Sequence, residues 1–148
     1  MKYGYLVVEG PHDVECVGRL LKLKNIRRVR LLEKLSPYWR RLIPRQFPIK
    51  GDLLKRVPIP TFFQNKEYSI AVHNVGGYTQ IPLALQATIE NYDDFHSEIT
   101  GIGIIADADY HDNGAYHRFR ELKDTLGDST EWPEEPGNVT NGSPKRGI

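Results

Sequence analysis

Two aspartates lie two residues apart, directly after an apolar stretch in the C-terminal half of the chain. They are Asp107 and Asp109, and the apolar stretch is residues 99–106. Because alternate residues of an extended chain point to the same side, we expect the two carboxylates to lie close together. Such a pair repels unless a cation or a shared proton lies between the two groups. The spacing therefore predicts a site that binds a metal ion or handles protons.

A third carboxylate, Glu9, follows the apolar N-terminal run in the same way. With Asp107 and Asp109 it forms a set of hard oxygen ligands that suits Mg²⁺ or Mn²⁺ rather than zinc. Because Mg²⁺ commonly shares its coordination with substrate phosphates, this set indicates phosphodiester chemistry. Glu9, Asp107 and Asp109 are thus the candidate catalytic and metal-binding residues. Asp13 is a further candidate metal ligand, and Asp13 or Asp112 could help to hold a second ion.

Glycines that could approach a phosphate follow two of the apolar runs. Gly10 comes directly after Glu9, and Gly76 and Gly77 end the run at residues 68–75. Helix N-termini that follow glycine turns bind phosphate through their backbone N–H groups. The chain has no Walker phosphate loop. The three glycines are therefore candidates for contact with a substrate phosphate rather than parts of an ATPase loop.

The formal net charge of +1 hides a strong separation of charge along the chain. Residues 22–66 hold 13 Lys or Arg and two acids, a net charge of +11, whereas the remainder holds seven basic and 17 acidic residues, a net charge of −10. A basic segment beside an acidic site is typical of a protein that binds a polyanion. Tyr38 and Trp39 lie among the basic residues, where aromatic rings could stack on bases. The candidate phosphate-binding residues of this segment are Arg40, Arg41, Arg45, Lys55 and Arg56.

Composition places the chain among ordinary globular domains. Of its 148 residues, 39% are hydrophobic and 26% are charged, which excludes a disordered or collagen-like chain. Its single cysteine, Cys16, cannot form an internal disulfide, so a reducing compartment fits best. The N-terminus lacks a signal-peptide pattern, and no stretch is long and apolar enough for a membrane span. We expect a cytoplasmic protein with no membrane contact.

The spacing of apolar residues predicts strands that alternate with helices. The predicted strands are residues 3–8, 28–32, 68–75 and 99–106, and the predicted helices are residues 11–24, 78–96 and 116–126. Five of the ten prolines fall within residues 36–66, which predicts an irregular basic insertion with one short helix at residues 51–56. The alternation indicates an α/β fold with a mostly parallel central sheet flanked by helices. The carboxyl ends of parallel strands meet at one edge, which would bring Glu9, the glycine turn and the paired aspartates together.

Three motifs at these strand ends resemble those of the Toprim domain. They are Leu-Val-Val-Glu-Gly-Pro-His-Asp at residues 6–13, Val-Gly-Gly at residues 75–77 and Ile-Ile-Ala-Asp-Ala-Asp at residues 104–109. The sequence most resembles the nuclease-type Toprim domains of the OLD (overcoming lysogenization defect) family and related prokaryotic Toprim-like proteins. This resemblance implies a Rossmann-like fold, a metal-binding or general acid/base role for Glu9, and metal-binding roles for Asp107 and Asp109. Asp13 stands where that family commonly carries a second acidic residue.

The resemblance covers residues 3–35 and 68–126, and the basic insertion has no counterpart in the family. A Toprim fold usually has one more strand and helix after the helix that follows the paired aspartates. We therefore expect a Toprim-like domain at residues 1–126, and a polar tail or the start of a missing last strand at residues 127–148. The 148 residues show no tyrosine-bearing topoisomerase domain and no primase zinc domain, so we do not expect a complete topoisomerase or primase.

These observations favour a Mg²⁺-dependent nuclease that acts on DNA more readily than on RNA. The resemblance implies an ATPase as partner protein and a role in phage defence or DNA repair, and it leaves homo-oligomer formation open. One alternative is a non-catalytic nucleic-acid-binding or partner-docking module, whose salt-sensitive binding would survive chelation. A receiver-like phosphotransfer domain ranks last, because no strand-end lysine follows the paired aspartates.

Overall fold

The computed structural model describes residues 1–46, 59–90, 98–108, 113–126 and 132–148. Its strands are β1 (Lys2–Val8), β2 (Arg27–Arg28), β3 (Thr61–Gln64), β4 (Tyr68–Asn74), β5 (Ile99–Ile105) and β6 (Lys145–Gly147). Its helices are α1 (Pro11–Leu23), α2 (Ile81–Glu90) and α3 (Gly114–Leu126), and short 3₁₀ turns lie at Leu32–Lys34, Pro37–Leu42 and Tyr78–Gln80. The short helix predicted at residues 51–56 lies outside the described residues.

The strands form one six-stranded sheet in the order β2-β3-β4-β1-β5-β6. β1 pairs in parallel with β4 on one side and with β5 on the other, and β5 pairs in parallel with β6. β2 and β3 add an antiparallel ribbon beside β4. The predicted α/β fold, with a mostly parallel sheet flanked by helices, is therefore confirmed. Within the described ranges, no helix is long and apolar enough to cross a membrane.

Helix α1 covers one face of the sheet and begins immediately after the turn that carries Glu9. Pro11 takes the first helical position, where its missing N–H is no loss. The Asp13 carboxylate accepts a hydrogen bond from the Gly10 N–H at 2.7 Å and so closes the first turn. The buried residues on this face are Val8, Val14, Val17, Ile26, Phe63 and Val72. Their packing holds α1 against the sheet and thereby fixes the position of the Glu9 turn.

Helices α2 and α3 cover the opposite face of the sheet. Tyr5 and Val7 of β1 point to this face and are fully buried. They share one core with Ile81 and Leu85 of α2 and with Leu122 of α3. Because β1 is buried on both faces, its sequence is a continuous apolar run rather than an alternating one, as in other parallel sheets.

The second strand differs from the prediction. The pattern predicts a strand at residues 28–32, but β2 holds only Arg27 and Arg28 and runs antiparallel to β3. The Val29 N–H still donates to the Phe62 carbonyl at 2.8 Å. The chain then leaves the sheet and turns at Leu32–Lys34, so the apolar residues beyond Val29 do not continue the strand.

Strand β3 was not predicted, because it lies inside the segment that the prolines mark as irregular. Pro60 directly precedes the strand, a position where the missing N–H costs no ladder hydrogen bond. Phe62 and Phe63 point to opposite faces of the sheet, and each is buried in a different core. Burial of these two aromatic side chains holds β3 beside β4.

The aromatic residues of the basic segment are core residues rather than exposed platforms. Tyr38 stacks on Tyr3 of β1, with ring centroids 4.1 Å apart, and Trp39 is 0% exposed. The Trp39 indole N–H donates to the Ser69 hydroxyl at 2.9 Å. Burial raises the pKa of Tyr38 to about 12, so its phenol stays neutral. The expectation that Tyr38 and Trp39 stack on bases is therefore wrong, because the 3₁₀ turn aims both rings into the core.

The C-terminal segment adds a strand at the sheet edge. Residues 145–147 form β6, which pairs in parallel with β5 from Gly101 to Gly103. Val139 bridges Gly147 in an antiparallel direction. We expected residues 127–148 to be a polar tail or the start of a missing last strand, and the structure shows the short strand β6 there. Its sequence is polar, so no apolar pattern predicts it.

A buried hydrogen-bonded chain connects β1, β4 and α2. The Tyr5 hydroxyl lies 2.6 Å from Nδ1 of His73 and 3.0 Å from the Thr88 hydroxyl. Thr88 donates in turn to the Ala84 carbonyl at 2.8 Å. Burial lowers the pKa of His73, so the fold favours the neutral imidazole. His73 is thus a packed, hydrogen-bonded residue of β4.

The free energy of unfolding is expected to fall as the pH is lowered from about 7.5 to about 5.5. In the unfolded chain His73 takes up a proton near its ordinary pKa of 6.5, whereas the fold resists this protonation, so acid favours unfolding. His73→Gln should flatten this dependence, because it removes the group whose protonation the fold resists. Denaturant titrations at several pH values measure the effect. Equal pH dependence in the wild type and His73→Gln would contradict it.

Candidate active site

The carboxyl ends of β4, β1 and β5 lie side by side at one edge of the sheet. Val8, the last residue of β1, is level with Asn74 of β4 and with Ile105 of β5. The residues at and directly after the ends of these three strands form what we call the carboxyl edge. It consists of residues 9–10, 74–77 and 106–108. The topology therefore brings Glu9, the glycine turn and Asp107 together, as the sequence predicts.

Glu9 is the residue that joins the three strand ends. Its side-chain Oε2 accepts a hydrogen bond from the Asp107 N–H at 3.2 Å. Its backbone carbonyl accepts one from the Gly77 N–H at 2.9 Å. Glu9 is half-buried and Asp107 is exposed, so both carboxylates can meet a ligand from solvent. One acidic side chain is thus held against the loop that carries the other.

The glycine turn after β4 is shaped by backbone conformation and by one amide side chain. Gly76 and Gly77 have φ angles of +78° and +135°, which L side chains rarely adopt. The Gly76 N–H donates to Oδ1 of Asn74 at 3.0 Å, an Asx turn that the sequence analysis did not single out although Asn-x-Gly is a known turn signal. The N–H groups of both glycines are engaged within the protein. They therefore contribute open space above the turn, since no described atom lies within 4 Å of a Cβ built at either position.

The other predicted residues near Glu9 have structural partners of their own. Gly10 gives its N–H to the Asp13 carboxylate, so one oxygen of Asp13 caps helix α1. The predicted phosphate contact of Gly10 and the predicted metal contact of Asp13 remain predictions. Asp109 lies outside the described residues, as do Lys55 and Arg56.

The carboxylates of the described edge fit a hard divalent cation. Glu9 and Asp107 offer oxygen ligands only, and Mg²⁺ is often held by one or two carboxylates plus water and substrate phosphates. In the part of the chain that the structure describes, no group of three or more His, Cys, Asp or Glu is placed to hold a metal ion. Glu9 and Asp107 are therefore the described residues of the candidate site, and Asp109, the third predicted ligand, lies outside the described residues.

Comparison with known proteins places the chain in a family. Residues 3–148 match the model of a family described as a protein of unknown function, DUF3226. The chain belongs to the DUF3226 family. No curated protein matches it. A similar solved structure is the crystal structure of hypothetical protein PH0156 from Pyrococcus horikoshii OT3, with 17% identity and a TM-score of 0.52 over 82% of this chain and 46% of that one. The chain thus spans less than half the length of that protein, and the likeness shows the fold alone.

An arginine side chain lies beside the carboxyl edge of the DUF3226 protein, and sequence reasoning did not predict it. Arg118 of α3 lies over the Tyr78 ring at 3.6 Å from its centroid and donates to Oε2 of Glu121 at 2.9 Å. It also lines a cavity of about 270 Å³ together with Ala106 and Ala108, the two neighbours of Asp107. No local pattern marks Arg118, because only the packing of α3 against the end of β5 brings it to this place.

The three described arginines that were predicted to bind phosphate lie elsewhere in the DUF3226 protein. Arg40 and Arg41 belong to the 3₁₀ turn at Pro37–Leu42, and Arg45 follows it. The Arg41 guanidinium lies 4.4 Å from the Tyr38 ring centroid, and Tyr38 stacks on Tyr3 at the start of β1. Six residues of an extended strand separate that level from Glu9, which is about 20 Å. Arg40 and Arg45 line the same cavity as Arg41, so all three lie away from the carboxylates.

Proposed function

We propose that this DUF3226 protein is a Toprim-like, Mg²⁺- or Mn²⁺-dependent nuclease that hydrolyses phosphodiester bonds in nucleic acid. The observation that carries the proposal is the contact between the Glu9 carboxylate and the Asp107 N–H at the carboxyl edge. It is supported by chain order, since a glutamate, a glycine turn and an aspartate pair follow β1, β4 and β5, the adjacent central strands. Ligands of open α/β sheets bind at such an edge.

Each residue of the edge has a distinct part in the proposed reaction. Glu9, Asp107 and Asp109 would hold the cation, which when bound neutralises charge on the scissile phosphate and makes water more acidic. The Glu9 side chain accepts a hydrogen bond from the Asp107 N–H, which keeps its carboxylate at the edge, where it could bind the cation or transfer a proton. The glycine turn leaves room for the phosphate to approach. Arg118 packs on Tyr78, which directly follows this turn, and its charge is paired with Glu121.

The wider setting follows from the same resemblance. We propose DNA rather than RNA as the preferred substrate, a cytoplasmic location and cooperation with an ATPase partner protein. These proposals depend on the resemblance to OLD-family Toprim domains. The geometry of the carboxyl edge supports only the metal-dependent chemistry.

Cleavage of supercoiled plasmid tests the proposal. We expect nicked or linear product with Mg²⁺ or Mn²⁺ and no product in excess chelator, because the carboxylates alone cannot offset the charge of the phosphate. Product that forms equally well in chelator would contradict the metal dependence. Absence of product with either metal, on single-stranded, double-stranded and supercoiled DNA and on RNA, would contradict the proposed nuclease activity.

A non-catalytic binding module is the second candidate function. The net charge of +11 over residues 22–66 favours it, because such a segment binds polyanions without any catalytic group. This candidate predicts salt-sensitive binding of nucleic acid in chelator, and no cleavage with any metal. The plasmid experiment therefore separates the two functions directly.

A further inference from the structure

A strongly basic surface of the protein lies at the sheet edge formed by β2. Between residues 27 and 46 the chain carries seven basic residues and one acid, Glu33, a net charge of +6. We call this the basic edge surface, and its basic residues are Arg27, Arg28, Arg30, Lys34, Arg40, Arg41 and Arg45. All of them are exposed except Arg41, which is half-buried. Arg28 is paired with Glu15 of α1. Most of the charge on this surface is therefore turned to solvent.

The basic edge surface is concave and continuous. A cavity of about 750 Å³ is lined by Arg27, Arg30 and Lys34, and another of about 840 Å³ is lined by Arg40 and Arg45. A third cavity, of about 390 Å³, shares lining residues with both and so connects them. The groove is therefore charged towards both ends and apolar in the middle, where Leu31 and Leu32 are 50% and 56% exposed.

We infer that this groove binds the sugar–phosphate backbone of a nucleic acid at a distance from the carboxyl edge. Six of its seven cations are arginines, whose planar guanidinium groups match phosphate oxygens in a bidentate way. A row of cations along a groove is complementary to a polymer with regularly spaced negative charge. The exposed apolar side chains between them can contact the sugars.

The register of the sheet gives the distance between the two sites. Pairing through β3 and β4 puts Arg28 level with Gly4 of β1, five residues before Glu9. β2 lies three strands away from β1, so the separation is about 14 Å across the sheet and about 16 Å along it. The direct distance of about 20 Å corresponds to about six nucleotides at 3.4 Å each. This part of the inference rests on the proposed function, because it places the cleaved bond at the carboxyl edge.

The groove is expected to bind DNA in the absence of metal, and substitution of two of its arginines tests this. The probe is a fluorescent DNA hairpin with a stem of about 16 base pairs, titrated in chelator over a range of salt concentrations. Arg27→Gln combined with Arg30→Gln should lower the salt slope by about 1.8 and weaken binding at 0.1 M salt by about 10- to 60-fold. The control for Arg30→Gln alone is Lys145→Gln, which removes one positive charge from an exposed side chain of β6 at the opposite edge of the sheet. Lys145→Gln should change the binding affinity less than about twofold. Equal melting temperatures show that the variants are folded.

Two results would overturn the groove as a nucleic-acid site. One is binding that the double variant leaves unchanged, or that Lys145→Gln weakens as much as Arg30→Gln does. The other is displacement of the hairpin by polyglutamate at the same charge concentration as by unlabelled DNA, which would indicate an acidic protein as the occupant.

Cleavage of hairpins of different length tests the span separately. With Mg²⁺, a stem of about four base pairs cannot reach from the carboxyl edge to the groove, whereas a stem of about 16 can. The double variant should therefore lower kcat/KM about tenfold or more for the long hairpin and leave it unchanged for the short one. Equal kcat/KM for both hairpin lengths in the wild type would overturn the claim that one DNA molecule spans the groove and the carboxyl edge. Normal binding in chelator without cleavage by any metal would instead overturn the nuclease and leave the groove standing.

Discussion

Asp107→Asn is expected to reduce the rate of metal-dependent DNA cleavage about a thousandfold, which corresponds to a loss of about 4 kcal/mol of transition-state stabilisation. The substitution removes the negative charge of a metal ligand and keeps the size of the side chain. The Asp107 N–H remains free to donate to Glu9, so the contact between the strand ends is retained. Glu9→Gln should have a similar effect, because it also removes the charge of a predicted metal ligand. Its amide oxygen can still accept the hydrogen bond from the Asp107 N–H.

Two matched variants serve as controls for these substitutions. Asp124→Asn makes the same chemical change at an exposed position in the last turn of α3, and Glu134→Gln does so at an exposed position after α3. Both should cleave plasmid DNA at the rate of the wild type, and all four variants should keep its melting temperature. Cleavage by Asp107→Asn at the rate of Asp124→Asn would remove Asp107 from the metal centre.

Trp39→Ala is expected to lower the free energy of unfolding by about 3–5 kcal/mol. Trp39 is fully buried, and its ring lies 4.7 Å from that of Tyr38 and 6.1 Å from that of Phe62, measured between centroids. The substitution leaves a large cavity between the 3₁₀ turn and the sheet. It also leaves the Ser69 hydroxyl without the indole N–H that it accepts.

Urea denaturation of Trp39→Ala and Arg40→Ala measures this effect. Arg40 is the exposed neighbour of Trp39 in the same turn, so its truncation should change stability by less than about 0.5 kcal/mol. Trp39→Phe should fall between the two, because it keeps most of the buried ring and loses the hydrogen bond. Equal stability of Trp39→Ala and wild type would mean that the ring is exposed and available to stack on bases.

The central strands and their ends could be predicted because buried parallel strands have apolar sequences that are bounded by turn-forming or charged residues. β1, β4 and β5 are rich in apolar residues, and glycine or acidic residues follow each of them within two residues. Parallel pairing then places their carboxyl ends at one edge whatever the details of packing. The contact of Glu9 with the Asp107 loop follows from those two facts alone.

The parts that could not be predicted depend on packing between distant segments. Tyr38 and Trp39 lie in a basic, proline-rich stretch, and only the geometry of the 3₁₀ turn shows that both rings face the sheet. β6 is polar and is held by backbone pairing to β5. Arg118 reaches the carboxyl edge through the position of α3. None of these features leaves a periodic pattern along the chain.

Binding of Mn²⁺ is the measurement that tests the central claim most directly, because it does not depend on cleavage. The claim is that Glu9 and Asp107 hold a divalent cation at the carboxyl edge. Electron paramagnetic resonance of free Mn²⁺, with Mg²⁺ as competitor, gives the affinity. We expect the wild type and Asp124→Asn to bind Mn²⁺ equally, and the double variant Glu9→Gln, Asp107→Asn to bind at least about tenfold more weakly. Equal Mn²⁺ affinity in the double variant and the wild type would contradict the claim.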